Sequence, residues 1–200
     1  MARGRLAEVS QFAKQPLTEI GHGAFSFAYR TEDGKTVFVV VKKGSWDKEI
    51  LATAHEDDPK NPHIPAVQFV DALDDGRRVY RMPFYESPIR TARKQAWAHF
   101  RAMRDAHEAE VHATDFFMMR DPYQGHCVMS GVVDRLRGKV PAALLRALEA
   151  IKDASTDYGS TWWFEFAARN LATDAKGRLV LLDPIYDKDF LQKMRNRRRW

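Results

Sequence analysis

The stretch Phe164–Pro184, FEFAARNLATDAKGRLVLLDP, decides how this chain is read. Glu165 is followed five positions later by Asn170, then by the turn TDAKG, then by the apolar run RLVLL that delivers Asp183. Thirteen positions separate Asn170 from Asp183, enough for a tight hairpin that returns the second residue beside the first. An amide oxygen and a carboxylate are hard donors suited to Mg²⁺, which takes one or two protein ligands alongside phosphate oxygens. Each part alone also fits a structural hairpin, with Asn170 capping a turn and Asp183 closing a strand before proline.

Upstream, the chain changes character once. Residues 18–42 are strand-like, with glycine-marked turns, and TEDG separates an alternating run ending in Tyr29 from the β-branched run TVFVVVK. A short helix is expected from Trp46 to His55, then the connector DDPKNPHIP, then two strands around the turn DDG. Between Pro88 and Ala113, Trp97, Phe100, Met103, His107 and Val111 recur at helical spacing. Pro141 opens a second helix, with Leu144, Leu145, Leu148 and Ile151 on its buried side. The stretch DPYQGHCVMSGVVDRLRGK reads as turn-rich. The expected fold class is α+β: a small antiparallel sheet with one helix, then a mainly helical part carrying the hairpin, the two meeting at a cleft. The expected division is an extension over 1–17, the sheet over 18–86, the helical part over 87–190 and a basic tail over 191–200.

Two further groups of residues bear on chemistry. In IGHGAFSFAY, Gly21 and Gly23 let a strand–turn–strand approach a phosphate closely, and Phe25 can cover it from water; an ordinary hairpin has the same letters. Lys42 ends the run VFVVVK nineteen positions after Gly23, so it is expected beneath that turn. A buried-stem lysine there can neutralise phosphate charge if a carboxylate holds it, and Glu49 is the best candidate. Lys43 and Lys48 read as surface charges.

As an ordered set these parts resemble the protein-kinase-like superfamily, and within it the early protein kinases of T-odd bacteriophages, which look similar in the glycine loop, the NPHIP connector and the Asp183-Pro184 pair. The likeness runs from about Ile20 to Pro184. It implies a minimal bilobal protein-kinase-like fold and ATP and Mg²⁺ as cofactors. It also implies Gly21, Gly23, Phe25 and Ser26 over the nucleotide, Lys42 and Glu49 at its phosphates, and Asn170 and Asp183 on the metal. Glu165 would then orient the attacking hydroxyl, and Arg169 would lie near the transferring phosphoryl, as in the similar Asp-Leu-Ala-Ala-Arg-Asn loop of tyrosine kinases; a structural salt bridge is the other reading of Arg169.

The chain departs from the pattern at Glu165, where the family uses aspartate, at Ser26, Ala167 and Ile185, and in the short segment after Asp183, which leaves no long activation segment. The resemblance implies a phosphotransferase acting on host proteins, and the alternative is a pseudokinase scaffold that blocks a host protein or a nucleic-acid machine. Aminoglycoside-type phosphotransferases share the implied fold, and nothing in the sequence excludes a small substrate.

Composition limits the alternatives. With 44% apolar residues in a 200-residue chain, a proper core is affordable. The single cysteine, Cys127, excludes an internal disulfide and suits a reducing cytoplasm, and the sequence has no apolar run of signal-peptide or membrane-span length. Five of the 32 cations lie in Lys193–Trp200, and the other 27 match the 27 anions. The basic tail can therefore hold nucleic acid or an acidic protein face, or be a solvated terminus. HEAEVH, with histidines five apart rather than four, does not form a zinc-protease face; His107 is expected as a satisfied histidine on the packed side.

Overall fold

The computed structural model describes residues 2–85, 94–114, 124–159 and 161–197. Its N-terminal half is an antiparallel sheet of β1 (Leu17–His22), β2 (Ser26–Thr31), β3 (Thr36–Val41), β4 (Gln68–Ala72) and β5 (Arg78–Pro83), in spatial order β1-β2-β3-β5-β4. TVFVVV lacks polar alternation because β3 is central and covered on both faces. Val37, Val39 and Val41 face the main core, while Phe38 and Val40 face a second cluster with Tyr29, Val79 and Val9.

Val9 belongs to α1 (Ala2–Ala13), a helix within the extension expected over 1–17. Leu6, Val9, Phe12 and Ala13 form its apolar face against the sheet, and Val9 is fully buried. Among the described side chains of α1, that face is short and sits among polar residues. Burial of one such side chain contributes about 1.5–3 kcal/mol, so the tertiary contact holds the helix more than its own propensity does.

On the other face lies α2 (Asp47–Asp57), which Asp58 and Pro59 stop, since the residue before a proline avoids the helical region. It packs against α5 (Ala142–Ser155) and so joins the sheet to the helical half. That half adds α3 (Lys94–Ala113) and α4 (Gln124–Leu136), the hairpins β6 (Trp162–Phe164) with β9 (Ile185–Asp187) and β7 (Leu171–Thr173) with β8 (Leu179–Leu181), and α6 (Lys188–Arg197). The inner face of the sheet and the helices share one hydrophobic cluster. The expected residues 88–93 of the helix now described as α3, and residues 121–123 of the turn-rich stretch, lie outside the described residues.

Most of that stretch is α4, not turns. A Cβ on Gly125 would lie 2.2 Å from the Trp162 carbonyl oxygen, and one on Gly131 would lie 2.2 Å from the Glu110 side chain. These glycines permit close packing of a helix rather than marking turns. No helix among the described residues is long and apolar enough to cross a membrane.

Candidate active site

The hairpin that opened the sequence reading is interlocked by its backbone. The Glu165 N–H donates to the Pro184 carbonyl at 2.7 Å, the Asp183 N–H to the Asn170 carbonyl at 3.0 Å, and the Asn170 amide nitrogen to the Glu165 carbonyl at 3.4 Å. Glu165, Asn170 and Asp183 are thereby brought together, as expected. In the turn between β7 and β8, Asp174 accepts the N–H groups of Lys176 and Arg178, and Gly177 takes a positive φ of 75° that favours glycine.

β8 is also anchored from the connector. Buried His63 bonds the Leu179 carbonyl through Nδ1 at 2.7 Å, and its own carbonyl accepts the Leu181 N–H at 2.9 Å. The Asn61 amide donates to the Ala143 carbonyl at 2.9 Å, tying the same connector to α5. NPHIP therefore fixes the strand that delivers Asp183.

Lys42 lies where the sequence places it with respect to the glycine turn. Its N–H donates to the Phe25 carbonyl at 2.8 Å, and its ammonium donates to the Ala24 carbonyl at 2.5 Å. The Gly23 N–H closes the turn on the Ser26 carbonyl at 2.8 Å, and Ser26 starts β2 opposite Val41. A Cβ at Gly21 or Gly23 would meet nothing within 4 Å, so the outer side of the turn is open. Phe25 rests beside Phe190 of α6, with ring centroids 5.4 Å apart.

The expected Lys42–Glu49 pair is not formed. Glu49 accepts hydrogen bonds from the Tyr80 hydroxyl and from Arg78, whose guanidinium lies 3.6 Å from the centre of the Trp46 ring. Burial, with Glu49 beside it, pushes the Tyr80 phenol up. The cation that meets the site is Lys48, expected at the surface and found with 4% of its side chain exposed. Its ammonium donates to Asp183 Oδ1 at 2.8 Å and to the Leu182 carbonyl at 3.0 Å, and lies 3.2 Å from Asp47 Oδ2.

The reason lies in helical phase. Asp47 and Lys48 stand one turn before Ile50, Leu51 and Ala52 on the packed stripe, whereas Glu49 leads toward Thr53 and Glu56 on the other side. That phase, legible in the text, is the signal that points to Lys48. Burial works against the Lys48 charge, but Asp183 and Asp47 more than offset it and hold its pKa above the ordinary lysine value. Burial pushes the Asp183 carboxyl up to about 6, against the pull of Lys48 and with help from Asp47 and Glu165.

Arg169 is 74% exposed and donates to Glu165 Oε1, so the structural salt bridge is present. The donor set fits a small hard cation: Asp183 Oδ2 has no partner among the described residues, and Asn170 uses its nitrogen and keeps its oxygen as an acceptor. No cluster of three His, Cys, Asp or Glu residues suited to a metal occurs among the described residues. A cavity of about 410 Å³ lies elsewhere, between α1 and the β4–β5 turn. Glu8, Asp71, Asp74 and Asp75 line it with Arg77, which pairs with Glu8 and Asp75, and the carboxylates in excess leave a negative charge that repels phosphates. His107 sits on the packed side, but its buried Nε2 has no hydrogen-bond partner among the described residues, so it is not satisfied as expected.

No family model and no curated protein match this chain. Among solved structures it is similar to that of the gentamicin–APH(2")-IIa complex, at 14% identity and a TM-score of 0.41, covering 94% of this chain and 72% of that one. At that identity and score the likeness assigns neither a family nor an activity, and the functional reading rests on the residues themselves.

Proposed function

We propose that this chain is an ATP-dependent phosphotransferase of protein-kinase-like build that acts on a protein hydroxyl, a host protein if the phage resemblance holds. The observation that carries the reading is the interlocked Glu165, Asn170 and Asp183, joined through Lys48 to α2, the helix that packs on a sheet whose glycine turn is open outward. Asn170 and Asp183 would hold Mg²⁺, which when bound neutralises phosphate charge. Lys42, under the turn, faces the region where the turn would cradle phosphates. Glu165 positions the acceptor hydroxyl and takes its proton; Arg169 holds that carboxylate through one oxygen and leaves the other for the hydroxyl. The basic segment Lys193–Trp200 is proposed to hold an acidic or nucleic-acid partner.

Purified chain, γ-labelled ATP, Mg²⁺ and a host lysate test the reading. The expected result is a labelled protein band that Glu165→Gln weakens by about 10²–10⁴-fold, the range of a lost general base. The pseudokinase scaffold is the second reading, favoured by the engagement of Glu165 by Arg169 and of Asp183 by Lys48. Its signature is a melting shift with ATP and Mg²⁺ but no labelled band.

A further inference from the structure

The Lys48 ammonium is engaged inside the fold: it donates to Asp183 Oδ1 at 2.8 Å and to the Leu182 carbonyl at 3.0 Å, and makes an ion contact with Asp47 Oδ2 at 3.2 Å. Asp47 is held in turn, since its Oδ1 accepts the Ser45 hydroxyl at 2.5 Å, and both side chains are almost wholly enclosed. The chain Ser45, Asp47, Lys48 therefore ends on one particular oxygen of Asp183. What remains for the site is Oδ2, on a side chain that is 34% exposed.

That geometry limits how Asp183 can hold a metal. Ca²⁺ needs six to eight oxygens, which carboxylates supply through one oxygen or both, so a carboxylate held to one oxygen offers it less, whereas Mg²⁺ takes a small octahedron and is content with one oxygen per carboxylate. Resting on the nucleotide reading above, we propose that Lys48 is a positioning residue that sets which cation the site accepts. By keeping Oδ1, it confines Asp183 to one-oxygen coordination, which admits Mg²⁺ or Mn²⁺ with the nucleotide and disfavours Ca²⁺. The lysine acts on specificity through the aspartate, without touching nucleotide or metal itself.

The test reads binding, not turnover. Melting temperature of the full chain is followed with a non-hydrolysable ATP analogue while Mg²⁺, Mn²⁺ or Ca²⁺ is titrated. In the wild type, Ca²⁺ is expected to need at least about tenfold more metal than Mg²⁺ for the half-maximal shift. Asp47→Asn with Lys48→Met removes one buried charge of each sign and frees Oδ1; it is expected to bring the two metals within about threefold. Asp47→Asn alone keeps the Lys48–Asp183 bond and must keep the wild-type preference.

A wild type stabilised by nucleotide but indifferent between Mg²⁺ and Ca²⁺ overturns this inference and leaves the nucleotide reading standing. So does a folded double variant that still rejects Ca²⁺, or loss of the preference in Asp47→Asn alone. A wild type that no nucleotide–metal pair stabilises overturns both. The wild-type comparison decides even where the double variant does not fold.

Discussion

Asp47 is 1% exposed, and the ion contact that meets its Oδ2 is the Lys48 ammonium. Lys48→Met alone strands that carboxylate, and breaking one side of a buried pair costs about 3–5 kcal/mol. Removing both charges with Asp47→Asn/Lys48→Met should recover part of the loss, because the enclosed Asp47 ion is gone while Asp183, which loses the same cation, is 34% exposed and can turn to solvent. Urea midpoints of the three proteins check this; a single variant as stable as the double one would contradict it. The same pair marks what the text withholds about single residues. Lys42 directly follows the β-branched run of β3, whereas Lys48 stands in the first turn of α2, and position after the strand favours Lys42. Only the phase of α2 turns Lys48 inward and Glu49 toward Tyr80 and Arg78. The Lys42 ammonium finds the Ala24 carbonyl within the same stretch of sheet, whereas the acceptor of Lys48 is Asp183, over a hundred positions away, and no local pattern encodes it.

At the scale of elements, the strands were legible because β-branched runs and glycine turns speak locally, while α4 was not. Its glycines look like turn signals, yet each is a contact. Their substitutions should therefore separate. At Gly125 a methyl would lie 2.2 Å from the Trp162 carbonyl oxygen, which β6 holds in place through its pairing with β9. Overpacking against backbone costs about 1–3 kcal/mol or more, beyond the roughly 1 kcal/mol that alanine gains over glycine inside a helix. Gly125→Ala should destabilise. At Gly131 the obstacle is the carboxyl end of Glu110, a partly exposed side chain paired with Arg135 that can swing aside, so Gly131→Ala should be near neutral. Thermal melts of the two variants decide the matter: Gly131→Ala as damaging as Gly125→Ala would show that the packing of α4 is misread.

Across the whole molecule, the order of parts could be read from the chain, but the single core linking sheet and helices could not, and that core governs how the protein answers to pH. Burial lowers the pKa of His63, His99, His107 and His126 below the ordinary imidazole value of 6.5. The unfolded chain therefore binds more protons than the folded one as pH falls below about 6.5, and stability drops with acid. Asp183 works in the opposite direction. Its carboxyl, raised to about 6 from 3.8, lets the folded state take up a proton first, which favours folding as pH falls between those values. The histidine contribution sets in as pH falls through about 6.5, and the opposing Asp183 contribution only below about 6. His107 offers the cleanest variant because its ring lies edge-on to Phe166, with centroids 6.0 Å apart, and its buried Nε2 meets no partner among the described residues. An apolar ring there removes a desolvated polar atom and a latent charge together, so His107→Phe should be at least as stable at pH 7.5 and lose less stability on acidification. Denaturant unfolding at pH 7.5, 6.5 and 5.5 measures both, and a variant with the wild-type slope would remove His107 from the cause. Because His107 lies beneath the loop that presents Glu165, a flattened slope would also tie acid sensitivity to the support of the proposed acceptor site rather than to the distant sheet.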